Sequence, residues 1–376
     1  MAVAENLSAS ADTLKTARVS RRDVPTASSA PSARRYFVVL SLIGLVAFVL
    51  GVGNRFTADS LFLVAPQVDF FPPLSAGPWN AAYAVHQQDP VFAACGGTES
   101  LALFKMLYWW EWLRRAALVG LGGVALAGLM GAAVWRRFAF ALPRLNALAT
   151  LALAYWPARA ALEFALGASA TMSSFNAGQY RHALDVLFAS AVLAGAIASA
   201  LAPPRAERAA ARRPARREWI WVAAILVDIG FGALFAARDA AASWPTLLGY
   251  EGHALPPFAQ LVSYSPWWLN LSFNALTIQL VHRGLSLALW IGAAVQLAAA
   301  VRARAADRAL VRFGLITLQM LLGILTLALG VPPALSIAHQ VGAVVLLAAS
   351  LAFLMTGEAA ASADVRAPPN VRWRTT

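Results

Sequence analysis

The chain has 376 residues, of which 60% are hydrophobic and only 13% charged, with a formal net charge of +12. A soluble chain carries about 25% charged residues, so this composition excludes an ordinary water-soluble domain and directs attention to membrane spans. The single cysteine, Cys95, excludes an intramolecular disulfide and a multi-cysteine metal site.

A bilayer core about 30 Å thick needs about 20 apolar residues per helix. Residues 1–35 are rich in Ala, Ser and Arg and read as a disordered cytoplasmic tail. Glu5, Asp12 and Asp23 weigh against a mitochondrial presequence, which is poor in acidic residues. Apolar runs then follow at about 36–54, 106–134, 143–168 and 180–202. An Arg- and Pro-rich connector occupies 203–217. Four more runs lie at about 219–237, 273–300, 310–330 and 335–356, and 357–376 forms a second tail. The expected fold is all-α: a polytopic membrane protein whose eight transmembrane helices form two tandem four-helix bundles, 36–202 and 218–356.

Basic residues fall on alternate sides of these runs. Lys15, Arg18, Arg21, Arg22, Arg34 and Arg35 precede the first, and Arg136, Arg137 and Arg144 separate the second and third. Arg205, Arg208, Arg212, Arg213, Arg216 and Arg217 fill the connector. Arg302, Arg304, Arg308 and Arg312 separate the sixth and seventh, and Arg366, Arg372 and Arg374 follow the eighth. The positive-inside rule places both termini in the cytoplasm. The charge is therefore topological, favouring contact with anionic lipid over a nucleic-acid partner. Segments 55–105 and 238–272 become long outer loops, with Tyr108, Trp109, Trp110, Trp267 and Trp268 at the interface.

The two halves repeat at residue level. Glu111-Trp-Leu-Arg114-Arg115 in the second run parallels Gln279-Leu-Val-His282-Arg283 in the sixth. Asp185-Val-Leu-Phe-Ala in the fourth parallels His339-Gln-Val-Gly-Ala in the eighth. Repeats of this kind place cofactor sites inside each bundle.

Of five histidines, His282 and His339 lie inside apolar runs, roughly 6–14 Å below the outer face at 1.5 Å per residue. An ionisable residue at such depth is a candidate functional group. Two imidazoles at matching depth suit a six-coordinate haem iron between packed helices, and a closed site of that kind favours electron transfer. The alternatives are two histidines bonding across helices as packing contacts, or a zinc site that recruits His253. Arg283 either faces a haem propionate or extends its charge to the interface. Motifs of nucleotide hydrolysis and proteolysis (GxxxxGK[ST], HExxH, GxSxG) do not occur in the sequence.

The runs GVGNRFT (51–57), FFPPLSAGPW (70–79), FKMLYWWEW (104–112) and SSFNAGQYR (173–181) resemble the first half of the haem A synthase family. DIGFGALFAARDA (228–240), EGHALPP (251–257), NALTIQLVHRG (274–284) and LGILTLALGVPPALSIAHQVGA (322–343) resemble its second half. The form is the one shared by mitochondria and related bacteria. This resemblance implies oxidation of a methyl group on haem O to the formyl group of haem A, for cytochrome oxidase. It implies a resident haem b held by His282 and His339, with the substrate haem on the N-terminal side near a catalytic glutamate, Glu111.

The N-terminal histidine pair of the family pattern is replaced here by Arg114 and Asp185. A lone charge in a membrane interior costs about 2.5–3.5 kcal/mol or more. The two are therefore expected to pair across the former cleft; otherwise Arg114 extends to the interface and Asp185 is solvated. His182, one turn from Asp185, is a candidate single ligand, and Arg55, Arg114, His182 and Asp185 are candidate substrate-pocket residues. The expected function is haem A synthesis, and the alternative is a non-catalytic haem-b paralogue in electron transfer or oxidase assembly. Expected partners are haem O, membrane lipid, haem O synthase and oxidase assembly factors, and a homo-oligomer is compatible. The expected location is the bacterial inner membrane, ahead of the mitochondrial one.

Overall fold

The structure, a computed structural model, describes residues 30–54, 68–88, 92, 100–134, 142–168, 178–202, 216–247 and 249–356. Arg55, Cys95, most of the connector and both distal tails lie outside the described residues. The chain runs through α1 (Ala30–Asn54), the short α2 (Ala76–Gln87), α3 (Leu101–Val134), α4 (Leu142–Ala168) and α5 (Gly178–Leu201). It continues through α6 (Arg216–Ala237), α7 (Ala275–Arg302), α8 (Asp307–Ala328) and α9 (Pro333–Thr356). No strand occurs among the described residues.

Most helices begin a few residues before their apolar runs, because first-turn N–H groups need no intrahelical acceptor and polar residues can occupy that turn. α7 instead begins later than expected, because Asn274 caps it by accepting from the amides of Leu276 at 3.1 Å and Thr277 at 3.3 Å. Among the described residues seven helices are long and apolar enough to cross a membrane, so this is an all-α multi-pass membrane protein. The expected eighth, α4, is a helix of 27 residues. Arg144, Asn146, Pro157, Arg159 and Glu163 dilute its hydropathy.

α1 packs against α3 and α5, and α4 contacts α3 and α5 in turn. α6, α7, α8 and α9 form a second closed ring of neighbours. Helix α5 also lies against α6 and α9, so one apolar core runs through both sets. In it Phe48 and Leu193 meet Val222, Ile225, Leu289, Ile316 and Val344. Lipid tails are as apolar as leucine, so membrane helices associate by close packing and by polar contacts. The buried face of α5 accordingly presents Ser190, Ala194, Ala198 and Ser199.

The ends are fixed by polar anchors. At the connector end, Arg312 of α8 is 1% exposed and pairs with Glu218 of α6. It also donates to Gln296 Oε1 of α7 at 2.8 Å and stacks over Trp221 and Phe353. This one guanidinium joins all four helices of the second half, although in sequence it stands among the arginines that separate the sixth and seventh runs. At the opposite end, Asn270 Nδ2 donates to the carbonyls of Tyr264 and Trp267. Asn274 Nδ2 donates to that of Gln260. The connection from α6 to α7 therefore has its own internal hydrogen bonds, which fix where α7 starts.

Candidate functional site

His282 and His339 project from α7 and α9 into the interior of the second ring. Each is seven or eight residues from its helix start, about 10 Å along the axis. Their ring centroids are 6.5 Å apart with planes inclined by 84°. A metal–imidazole bond of about 2 Å on each side, plus the half-width of each ring, requires a spacing of this order.

The neighbouring helices treat the two rings alike. α6 places Asp228 Oδ1 at 2.8 Å from His282 Nδ1. One turn further on, Gly232 lies so close that a Cβ there would sit 3.2 Å from His282 Cε1. α8 places Gln319 Nε2 at 3.1 Å from His339 Nδ1 and 2.9 Å from the His339 carbonyl oxygen. Again one turn on, a Cβ at Gly323 would meet His339 Cε1 at 2.9 Å. Each imidazole thus has a polar side chain at Nδ1 and a glycine against its edge, both on an adjacent helix at i and i+4 spacing. Metal-ligating histidines have such a partner on the second ring nitrogen.

The buried atoms Asp228 Oδ1, His282 Nδ1 and Gln319 Oε1 have no aligned hydrogen-bond partner. Buried polar atoms left unpaired cost free energy, and here they cluster around the imidazole pair. With iron on Nε2 the Nδ1 of His339 carries the proton, and turning the Gln319 amide would offer it the free Oε1. The residues present therefore fit a haem held between α7 and α9. His253 stands apart, in a turn closed by paired backbone bonds with Tyr250 of 2.7 and 2.8 Å. Among the described residues no group of three or more His, Cys, Asp or Glu is placed to hold a metal ion.

Arg283 donates to the carbonyls of Trp244 at 3.1 Å and Thr246 at 2.9 Å, with its guanidinium 4.2 Å from the Trp244 ring centre. It clamps the connection beside the histidine site, while Gln279 reaches the Trp244 carbonyl at 2.9 Å from one turn before.

The first half carries charges at the equivalent depth. Glu111 is 5% exposed and receives Arg114 in bidentate fashion, Nε at 2.8 Å and Nη2 at 2.7 Å. Arg115 adds a third bond at 2.8 Å. Asp185 accepts from Tyr155 Oη at 2.8 Å and from Arg159 at 3.4 Å. The expected Arg114–Asp185 pair is thus replaced by two separate ones. An i,i+3 partner on the same helix and a carboxylate that matches the guanidinium fork outcompete a partner across the cleft. Glu163, which also binds Arg159, takes Arg181 through two bonds of 2.7 Å. His182 follows Arg181 at the start of α5. Tyr155, Arg159 and Glu163 escaped the sequence reading because they lie in a run taken as a plain span. The one local signal in sequence is the i,i+4 spacing of Arg159 to Glu163.

The two halves share some contacts. Glu111 and Gln279 are both buried, and Arg115, like Arg283, reaches back to the segment before its helix, here the Val68 carbonyl at 3.3 Å. An apolar cavity of about 520 Å³ lies between α4, α5 and α6, lined by Leu151, Phe188, Leu226 and Phe231 among others.

These features define a multi-pass helical membrane protein with a paired-imidazole centre in its second half and a charged cleft in its first. Residues 65–351 match the COX15-CtaA family, described as cytochrome oxidase assembly protein. The chain is 32% identical over 371 residues to a haem A synthase of Bradyrhizobium diazoefficiens, covering 92% of this chain and 98% of the relative. It is also 32% identical to one from Azorhizobium caulinodans, covering 87% and 95%, and 30% identical to one from Rhodopseudomonas palustris, covering 89% and 93%. The chain belongs to the cytochrome oxidase assembly protein family that includes these synthases.

Proposed function

We propose that this protein is a haem A synthase-type oxidoreductase, converting a methyl group of haem O to the formyl group of haem A for cytochrome oxidase. The observation that carries this reading is similarity to haem A synthases over nearly the whole length of both chains. His282 and His339 would hold a resident haem b, which would supply one-electron transfer when bound. The half formed by 218–356 is then the haem b side, and the half formed by 36–202 is the substrate side.

On the substrate side Glu111 is the catalytic residue. Arg114 and Arg115 fix its carboxylate from two directions and keep it oriented without a ligand histidine. Arg55, Arg114, His182 and Asp185 belong to the substrate pocket, where guanidinium groups suit the propionates of a haem. Arg283 holds the loop that covers the haem b site. All eight long helices cross the bacterial inner membrane, α4 stabilised by its own ion pairs, with both termini on the cytoplasmic side. Haem O synthase and oxidase assembly factors are the partners this chemistry needs.

Co-expression with haem O synthase, followed by chromatography of extracted haems, tests the activity. Haem A or its hydroxylated intermediate above background is the expected result. Haem O alone, from membranes that contain the folded protein, refutes it.

A further inference from the structure

The two imidazoles have similar surroundings whose main chemical difference is charge. At Nδ1 of His339 stands the neutral amide of Gln319. At Nδ1 of His282 stands the carboxylate of Asp228, 2.8 Å away. Asp228 lies in the middle of α6, a segment otherwise apolar from Ile220 to Leu234. A carboxylate at that depth is expensive unless it serves a partner. Its Oδ2 accepts from Ser286 Oγ at 3.0 Å, and Ser286 is one turn from His282 on α7. Its Oδ1 is shut off from solvent and lies 2.8 Å from the buried imidazole nitrogen, and neither atom has an aligned hydrogen-bond partner. Gly232 closes the ring's edge and Phe235 stands 5.9 Å from its centre, so α6 restrains His282 on three sides.

We propose that Asp228 is a positioning residue for the centre. It holds His282 in the tautomer that bears its proton on Nδ1 and turns Nε2 toward the ligand position. It also makes His282 a stronger electron donor than His339. This inference rests on the reading that the two histidines ligate a haem.

The physical reason is general. A carboxylate that accepts the N–H of a ligating imidazole fixes the ring and raises its basicity. A more basic axial ligand and a nearby negative charge both favour the oxidised iron, so the reduction potential falls. A neutral amide gives orientation with much less of the second effect. Ser286 adjusts the arrangement: its hydroxyl takes part of the charge on Asp228 and so weakens the pull on Nδ1. The centre is therefore electronically lopsided, with the stronger donor on α7.

The test uses the full-length protein purified in detergent with its haem, comparing wild type with Asp228→Asn, Asp228→Glu and Ser286→Ala. The readouts are haem per polypeptide, the spectrum of the oxidised and reduced forms, and the midpoint potential by optical titration. Asp228→Asn is expected to keep haem and the paired-imidazole spectrum while raising the potential. Ser286→Ala, which leaves the carboxylate one donor short, is expected to lower it. Asp228→Glu is expected to remain closer to wild type than Asp228→Asn. If Asp228→Asn fails to accumulate, the opposite shift in Ser286→Ala decides the matter alone. A potential unchanged in both variants, with haem bound, overturns the role of Asp228 and leaves the haem reading intact. Wild-type protein that binds no haem, or a His282→Ala variant with an unaltered haem spectrum, overturns both.

Discussion

The guanidinium of Arg312 offers the most demanding stability test. It is 1% exposed and Glu218, its partner across the bundle, is 5% exposed, so neither charge has water to fall back on. Replacing Arg312 with Met leaves Glu218 buried with only Arg217, whose side chain is 56% exposed and 3.7 Å away. An exposed partner of that kind is worth at most about 1 kcal/mol. Breaking a buried pair from one side costs about 3–5 kcal/mol, because an uncompensated charge remains. The stacking over Trp221 and Phe353 adds about 0.5–2 kcal/mol to the loss. Arg312→Met and Glu218→Gln should each lower stability by about 3–5 kcal/mol, whereas the double variant should lose much less than their sum, since no charge is stranded. Unfolding in mixed detergent with rising SDS, followed by tryptophan fluorescence, measures this; Trp221 is a local reporter, 4.9 Å from the guanidinium. Arg312→Met within about 1 kcal/mol of wild type, or strictly additive losses, would show that the pair is not what joins these helices.

Further predictions concern the two polar centres. Glu111→Gln should lower haem A formation by at least about 100-fold, the scale of a lost acid–base group, while haem bound at His282 and His339 stays unchanged by spectrum. Gly323→Ala puts a methyl 2.9 Å from His339 Cε1 and should reduce haem content several-fold. Gly230→Ala, whose Cβ meets only Leu187 at 3.7 Å, should retain haem and gain up to about 1 kcal/mol of helix propensity. Arg114→His combined with Asp185→His strands no charge, since Arg115 remains on Glu111 and Glu163 on Arg159. The haem-to-protein ratio of this double variant should rise from about one to about two, and a ratio unchanged by pigment analysis would refute the equivalence of the two halves.

The helical framework was legible because spans are written in runs of apolar residues, and boundaries moved only where polar first turns or a cap intervened. The histidine pair was legible too, since an ionisable side chain in such a run stands out and two at one depth stand out together. The partners of those histidines were not. Asp228 and Gln319 lie on other helices, and which side of a nearly all-apolar helix faces inward depends on packing that the sequence pattern does not display. Arg312 illustrates the converse. In sequence it joins a row of arginines at a helix start, and only the fold shows that this one turns inward to Glu218. The Arg114–Asp185 pairing failed for an energetic reason. Each charge had a nearer partner, Glu111 on the same helix and Tyr155 with Arg159 on α4, and a local pair costs less ordering than one across a cleft.

The comparison of the halves separates what the scaffold requires from what the chemistry requires. Glu111 and Gln279 share burial, and Arg115 and Arg283 share the task of holding the preceding segment. Arg115 and Arg283 thus have a structural task in common, whereas Glu111 keeps the catalytic role proposed for it. Positions 114 and 185 carry charge, and the surrounding residues satisfy it: the guanidinium of Arg114 closes on Glu111, and Asp185 is met from α4. The second half shows the opposite pattern, with polar atoms left unpaired and glycines leaving room beside the rings. A side chain that has satisfied itself within the protein has little left to offer a ligand, whereas the imidazole pair is surrounded by buried polar atoms that have no aligned partner. That contrast supports the proposal that iron is held from α7 and α9, and under it the first half binds by charge and shape.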